Sequence, residues 1–568
     1  MRPTRPERAR GRAGLLALAC VGLAYVTLMQ PLGWNQTSHF ALVKALSHGT
    51  PRIDRYQWET GDKSYSGGHF YSVKAPGTAA LALPWYEALR AVGAPSALGD
   101  LAADPGGARW RASAIDVVKF KSRGRRKHAV ARAVARETPL VWALGLAVVV
   151  APALVLLALV RSLGESIERG LGTAAAVALG LGTLVLPFAT MLFSHVLAAA
   201  LAFASFALLW PERAGRARPL RLVAAGALAG LGIVVEYPVA LIAAILALYA
   251  AASRPRVRRA LCFVAGAVVG VLPLVAYNLW AFGSVTALSY HDAVKFPGRT
   301  GHDVLGLNAK GLFGVDWPRL HAGLTLLFSG RGLLVLTPVV AMGAVGAVLL
   351  YRRGRRAEAL TIGAVALAFL LYNSGYYLPF GGNSPGPRFL VASLPFLALP
   401  LALSFRRFPG PTVALTLASV TTMVLATLTR PELASDATGR WLTMLDAHHF
   451  TPTVVSALGA ATGWVALAPF LAAVVGALAL AAVAAPRREL AGPRLAFGVA
   501  AGAAWALAAI ALPPAVGSST RHGHATGSTD LILVALGVAL VGLALLAVAA
   551  RRPALRRSAG RRARAATG

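Results

Sequence analysis

Apolar runs of about 17–25 residues recur along nearly the whole chain, many of them closed by a short cluster of arginines, and no water-soluble fold has an interior large enough to hide them all. They stand near residues 13–32, 139–160, 171–188, 193–210, 220–236, 237–252, 260–281, 332–351, 359–378, 389–405, 411–429, 464–485, 495–512 and 530–550. The pattern predicts an all-α, polytopic membrane protein of about fourteen transmembrane helices, because a bilayer admits only segments that close their backbone hydrogen bonds internally. Composition agrees: of 568 residues, 57% are hydrophobic and 14% charged, with mean hydropathy +0.62. A formal charge of +34 would mark a nucleic-acid binder in a soluble chain. Here the basic residues punctuate membrane runs and form no continuous face for phosphates, so they read as topology signals. The two cysteines, Cys20 and Cys262, each lie inside an apolar run, which leaves no disulfide framework, zinc ribbon or iron–sulfur ligand set.

Arg2, Arg5, Arg8, Arg10 and Arg12 precede the first run, which reads as an uncleaved anchor with its N-terminal side, residues 1–12, in the cytoplasm. Counting from there places the loops holding Arg213/Arg216/Arg218/Arg221, Arg254/Arg256/Arg258/Arg259, Arg352/Arg353/Arg355/Arg356 and Arg406/Arg407 inside, with the basic tail 551–568. Residues 77–95 would invert every later loop if they spanned. They are therefore expected to dip into the outer interface and return, leaving the basic segment 96–138 outside. All twelve histidines and every lysine then fall outside, together with the long loops 33–76 and 283–331. Arginine-rich coding in a high-GC bacterium accounts for part of that asymmetry. The outer face of a bacterial plasma membrane is still the expected side for chemistry, since long loops and titratable groups gather there.

The first outer loop, 33–76, is the richest. Phe40, Val43 and Leu46 fall on one side of residues 36–48, and Gly49 stands where a helix ends, so this stretch is expected to lie along the membrane surface as an interfacial helix. Asp54, Glu59 and Asp62 follow, then an extended piece His69–Phe70–Tyr71, then Lys74 before Pro76. Carboxylates beside a lipid surface, followed by a lysine, suit a reaction with a general base and an anionic leaving group, and the same residues also compose an ordinary solvated loop. Loop 283–331 carries Tyr290, His291, Asp292, Lys295, Arg299, His302, Asp303, Lys310 and Asp316. Arg331 closes it, and Arg388 ends the turn 376–388; a guanidinium at either place can hold a lipid phosphate or snorkel to headgroups. Glu236 lies at a turn between two apolar helices, where a carboxylate is paired or functional. His195 sits near the outer end of a span. No spacing among Asp446, His448, His449, His522 and His524 commits them to a metal, and the outer carboxylates leave a divalent cation open.

The order of these segments resembles the GT-C superfamily of polyprenyl-phosphate-sugar-dependent glycosyltransferases, in particular the family of protein O-mannosyltransferases and the lipid A aminoarabinose transferase. The resembling parts are GTPRID at the end of the interfacial helix, GDKSYSGGHFYSVKAPG, the dipping helix, YNLWAFGS (277–284), GLFGVDWP (311–318), FSGRGLLVLTP (328–338) and GPRFL (386–390), over roughly residues 13–405. Family members usually carry an acid at the start of the interfacial helix, where this chain has Asn35–Gln36, and another near the position of His195.

The resemblance implies an inverting transfer of a sugar from a polyprenyl-phosphate donor to an acceptor hydroxyl at the extracytoplasmic face, the acceptor being a lipid, glycan or protein. It implies a carboxylate base, for which Asp62 is the first choice and Asp54 the second. Lys74, Arg331 and Arg388 are the expected phosphate-binding cations, with Asn35, His69, Tyr71, His195 and Glu236 as further site candidates. It divides the chain into a membrane module 13–282, the outer loop 283–331 and C-terminal helices 332–550. A transporter or lipid flippase, or a non-catalytic relative acting as a scaffold, are the rival readings. The first would place polar groups on broken helices at mid-membrane and show two similar halves, neither of which the sequence displays.

Overall fold

The computed structural model describes residues 5–102, 108–117, 125–213, 217–292, 314–433, 436–486, 495–518 and 528–565. The centre of the second loop, with Lys295, Arg299, His302, Asp303 and Lys310, lies outside the described residues, as do His522 and His524.

The protein is a multi-pass helical membrane protein, and every one of the fourteen apolar runs is helical. Their number as spans is smaller than expected. Among the described residues, eight helices are long and apolar enough to cross a bilayer: Lys127–Ile167, Ser194–Arg213, Arg256–Phe282, Arg356–Gly375, Pro409–Thr429, Gly463–Ala484, Ala496–Val516 and Thr529–Ala549. Two more, Leu320–Arg352 and Arg388–Arg407, are helix pairs bent by 90° and 56°. Three of the expected spans form shorter apolar helices, Gly172–Gly182, Pro219–Val235 and Val239–Ala251. Prolines set several of these breaks: Pro338 and Pro400 each cap the second helix of a bent pair, where the missing amide ends the preceding ladder.

Leu220, Leu248, Leu261, Val268 and Leu507 stay exposed along the helices, as lipid-facing side chains do. Helix contacts therefore rely on close packing more than on hiding apolar surface. The clearest case pairs Pro219–Val235 with Arg256–Phe282. Gly226 and Gly230 meet Gly266 and Gly270 so tightly that a Cβ on Gly226 would collide with the Phe263 carbonyl, and one on Gly266 with the Val223 carbonyl. Gly226→Leu should destabilise the protein by about 3 kcal/mol or more, because backbone atoms cannot yield as a side chain does. Thermal denaturation in detergent checks this against Gly363→Leu, whose Cβ would meet nothing within 4 Å and which should melt as the wild type does.

The N-terminal third builds one end of the bundle. Helix α1 (Arg5–Thr27) leads to α2 (Trp34–Ser47), which is buried over most of its length. A hairpin follows, β1 (Lys63–Ser66) and β2 (His69–Ser72), antiparallel with Lys63 opposite Ser72. Gly67 and Gly68, at φ 55° and 87°, form its two-residue turn, which needs positive φ at both positions. Helix α3 (Gly77–Ala91) is the segment expected to dip. It has 15 residues with Pro84 inside, and it is not among the helices that qualify as spans. The basic segment 96–138 folds into α4 (Ala94–Asp100), α5 (Ala108–Val117) and α6 (Arg125–Gly145). Trp110 of α5 donates to the Met29 carbonyl at 3.1 Å, which puts α5 at the same end as α2.

The far end of the chain closes onto this end. Gln30 donates to the Thr427 carbonyl at 2.8 Å, Thr451 donates to Gln30 Oε1 at 3.1 Å, and the Met29 amide donates to the Pro452 carbonyl at 2.8 Å. Segments some 400 residues apart thus share one wall.

Candidate active site

A cavity of about 840 Å³ opens where α2, the hairpin, α5 and the segment 429–467 meet. The hairpin register explains its chemistry. Pairing Lys63 with Ser72 brings the residue before β1 close to the chain after β2, so Asp62 and Lys74 converge, and Lys74 Nζ stands 2.6 Å from Asp62 Oδ2. Helix α2 holds that junction in place: Ser38 Oγ donates to the Asp62 carbonyl at 2.5 Å and lies 2.8 Å from Ser72 Oγ. Lys44, further along α2, bridges Glu59 at 2.6 Å and Glu137 at 2.5 Å, which ties α2 to the loop and to α6. Burial and the neighbouring Glu137 push Glu59 up to about 8.

Asp62 lines the cavity, with Lys74 directly behind it. Burial lowers the Lys74 ammonium, while Asp62 pulls the other way. Arg388 lines the cavity too. Arg388 as a whole is 8% exposed; its guanidinium lies 5.6 Å from the Phe193 ring and 5.4 Å from that of Phe389, and has no hydrogen-bond or ion-pair partner among the described residues. Asn35, on the same wall, keeps its buried Oδ1 unpartnered, and Arg388 does the same with Nε. A buried guanidinium with no carboxylate bonded to it favours a ligand of negative charge.

The other sequence candidates take different places. Asp54 does not line the cavity. It accepts from the Phe70 amide at 2.7 Å and pairs with His69 Nδ1 at 2.9 Å, so both side chains brace the hairpin. Tyr71 packs on Phe282 at 4.9 Å. Arg331, the third expected phosphate-binding cation, lies among backbone carbonyls. It is 2% exposed and donates to the carbonyls of Leu433 at 2.7 Å, Ser384 at 3.1 Å and Gly382 at 3.3 Å, with Asp436 3.5 Å from its Nε. Those partners engage its charge in joining two loops, and it is not on the cavity wall.

His195 and Glu236 form a buried pair, Nδ1 to Oε2 at 2.9 Å, inside a box of Phe188, Phe193 and Phe389. His39, 1% exposed, sits among these groups; burial and the nearby cations hold it down at about 3, so it is neutral. Among the described residues no group of three or more His, Cys, Asp or Glu side chains is arranged to hold a metal ion.

Sequence reasoning missed Glu432 and Arg109, both on the cavity wall. Glu432 lies directly beyond the span Pro409–Thr429, and its carboxylate rests against Gly33, next to Asn35. Asn35 and His195, the two places where the resemblance leads one to expect acids, thus each have a carboxylate nearby that comes from another segment. The signal for Glu432 was present in the scarcity of acids, 22 in the whole chain, combined with its place just beyond a span on the same face as loop 33–76.

No known family model matches the chain, and no curated protein is similar to it in sequence. Among solved structures, ArnT from Cupriavidus metallidurans in the apo state is similar with a TM-score of 0.44 and 14% identity, over 84% of this chain and 76% of that one. The same protein bound to undecaprenyl phosphate gives 0.41 and 14% over 88% and 78%. The Archaeoglobus fulgidus oligosaccharyltransferase in the apo form gives 0.39 and 13% over 84% of this chain and 56% of that one.

Proposed function

We propose that this protein is an inverting membrane glycosyltransferase, which moves a sugar from a polyprenyl-phosphate donor to an acceptor hydroxyl at the extracytoplasmic face. One observation carries the reading: the Arg388 guanidinium, buried and with no carboxylate bonded to it among the described residues, on the wall of a cavity that Asp62, itself paired with Lys74, also lines. A lipid phosphate fits the charge left over, and its hydrocarbon tail fits the apolar helix surfaces around the bundle. The order of the resembling motifs and the positive-inside arrangement of the Arg-rich loops support the reaction class and the side.

The chemistry follows from the charges. In an inverting transfer the phosphate leaves already ionised, so no general acid is needed and one carboxylate suffices to take the acceptor proton. Lys74 and Arg388 offset the charge that grows on the departing phosphate, in a site where low water content strengthens each contact.

Purified protein in lipid nanodiscs should bind undecaprenyl phosphate saturably, as read by native mass spectrometry, and should release labelled sugar from an undecaprenyl-phosphate-linked hexose. A wild-type protein that neither retains the lipid phosphate nor turns over such a donor would end this reading in favour of a transporter or a scaffold.

A further inference from the structure

The cavity carboxylate best placed to accept a proton comes from the C-terminal half of the chain. Glu432 shares its wall with Asn35, Asp62 and Arg388. Its carboxylate lies so close to Gly33, the N-cap of α2, that a Cβ there would overlap both carboxylate oxygens. Among the described residues it makes no hydrogen bond or ion pair. The chain on either side of it is fixed: the Arg430 carbonyl accepts from Trp441 Nε1 at 2.9 Å, and the Leu433 carbonyl accepts from Arg331 at 2.7 Å and from the Ser384 amide at 3.0 Å. Asp62 is held differently. Its Oδ2 is engaged by Lys74 at 2.6 Å, and protonating it would strand a buried ammonium.

We propose that Glu432 is the general base of the transfer and that Asp62 is a positioning residue, the counter-ion that aims Lys74 at the donor phosphate. This rests on the transferase reading above. In the step, a Glu432 carboxylate oxygen takes the acceptor O–H proton while the acceptor oxygen bonds to the anomeric carbon. The bond from that carbon to the phosphate oxygen breaks, and its electron pair stays on the phosphate. A donor phosphodiester of charge −1 and an ionised Glu432 become a polyprenyl phosphate of charge −2 and a neutral Glu432, so charge balances. Burial holds the Glu432 carboxyl up at about 7, while Arg388, Arg430 and Lys74 draw it down and Asp62 adds to the rise. Arg109, Asp116, His448 and His449 face the same cavity. A base of that strength is half ionised near neutral pH, where proton transfer is most effective.

Dicyclohexylcarbodiimide, which modifies protonated carboxyls in apolar surroundings, tests the assignment on the full chain in nanodiscs. Mass spectrometry should find Glu432 labelled with a midpoint near pH 7 and protected by undecaprenyl phosphate, and Asp62 unlabelled over the same range. E432Q should bind undecaprenyl phosphate as the wild type does while turning over donor about 100- to 10,000-fold more slowly, without the wild-type rise in rate through neutral pH. E432D should recover part of that loss. D62N should weaken undecaprenyl phosphate binding by about tenfold, a loss that E432Q does not share. Wild-type turnover in E432Q, or label on Asp62 in place of Glu432, overturns the proposal. Failure of the wild-type protein itself to bind undecaprenyl phosphate overturns the transferase reading, and is seen before any substitution is made.

Discussion

Arg388→Met should abolish saturable binding of undecaprenyl phosphate and, in the ligand-free protein, raise thermal stability. Both effects have one cause. The residue is buried and its guanidinium is held over two phenyl rings, with no carboxylate or carbonyl bonded to it among the described residues. A buried charge without a partner opposes folding, so an apolar chain of similar length that keeps the contacts with Phe193 and Phe389 removes a burden. The same charge is what a phosphate would bind, and truncating one member of a buried charge pair weakens binding by about 2–5 kcal/mol, or roughly 30- to 5,000-fold. Gain of stability with loss of ligand is the mark of a binding group. Native mass spectrometry and a thermal melt on the same preparation read both. A variant that melts lower and still binds the lipid would place Arg388 in the scaffold.

Arg331→Met should do the opposite. Its guanidinium joins the Gly382–Ser384 turn to Leu433 and Asp436, and Asp436 is 1% exposed. Removing the arginine takes one donor from the carbonyls of Gly382, Ser384 and Leu433 and the cation from beside the buried Asp436 carboxylate, a change that costs about 3–5 kcal/mol and lowers Tm by several degrees. Both tethered loops reach the cavity wall, through Gly381–Asn383 and Thr429–Glu432, so turnover should fall along with stability. Two arginines that read alike in the sequence would thus shift stability in opposite directions.

Much of this protein is written in short stretches of its chain. The apolar runs announce helices, since hydropathy over about twenty residues is a local property. Gly67–Gly68 between alternating residues announces a hairpin, and a hairpin by itself brings Asp62 to Lys74, so that ion pair was within reach of the sequence. The count of spans was not, because a proline or a 90° bend turns an apolar run into two short helices whose directions depend on their neighbours.

What the tertiary structure alone decided is which charges face one another. Glu432 meets Gly33, and Glu236 meets His195, only because α1 and α2 dock against the segment 427–453 and the helices on either side of Glu236 pack across the bundle. Arg331 and Arg388 differ in surroundings, one guanidinium ringed by carbonyls and the other set against aromatic rings. The sequence by itself determined the helical membrane class and the polar first loop with its extended piece, both set by hydropathy and backbone preference over a few residues. The cavity and the surroundings of its charges were decided by packing between segments hundreds of residues apart, where the energy of a charge depends on its neighbours and not on its place in the chain.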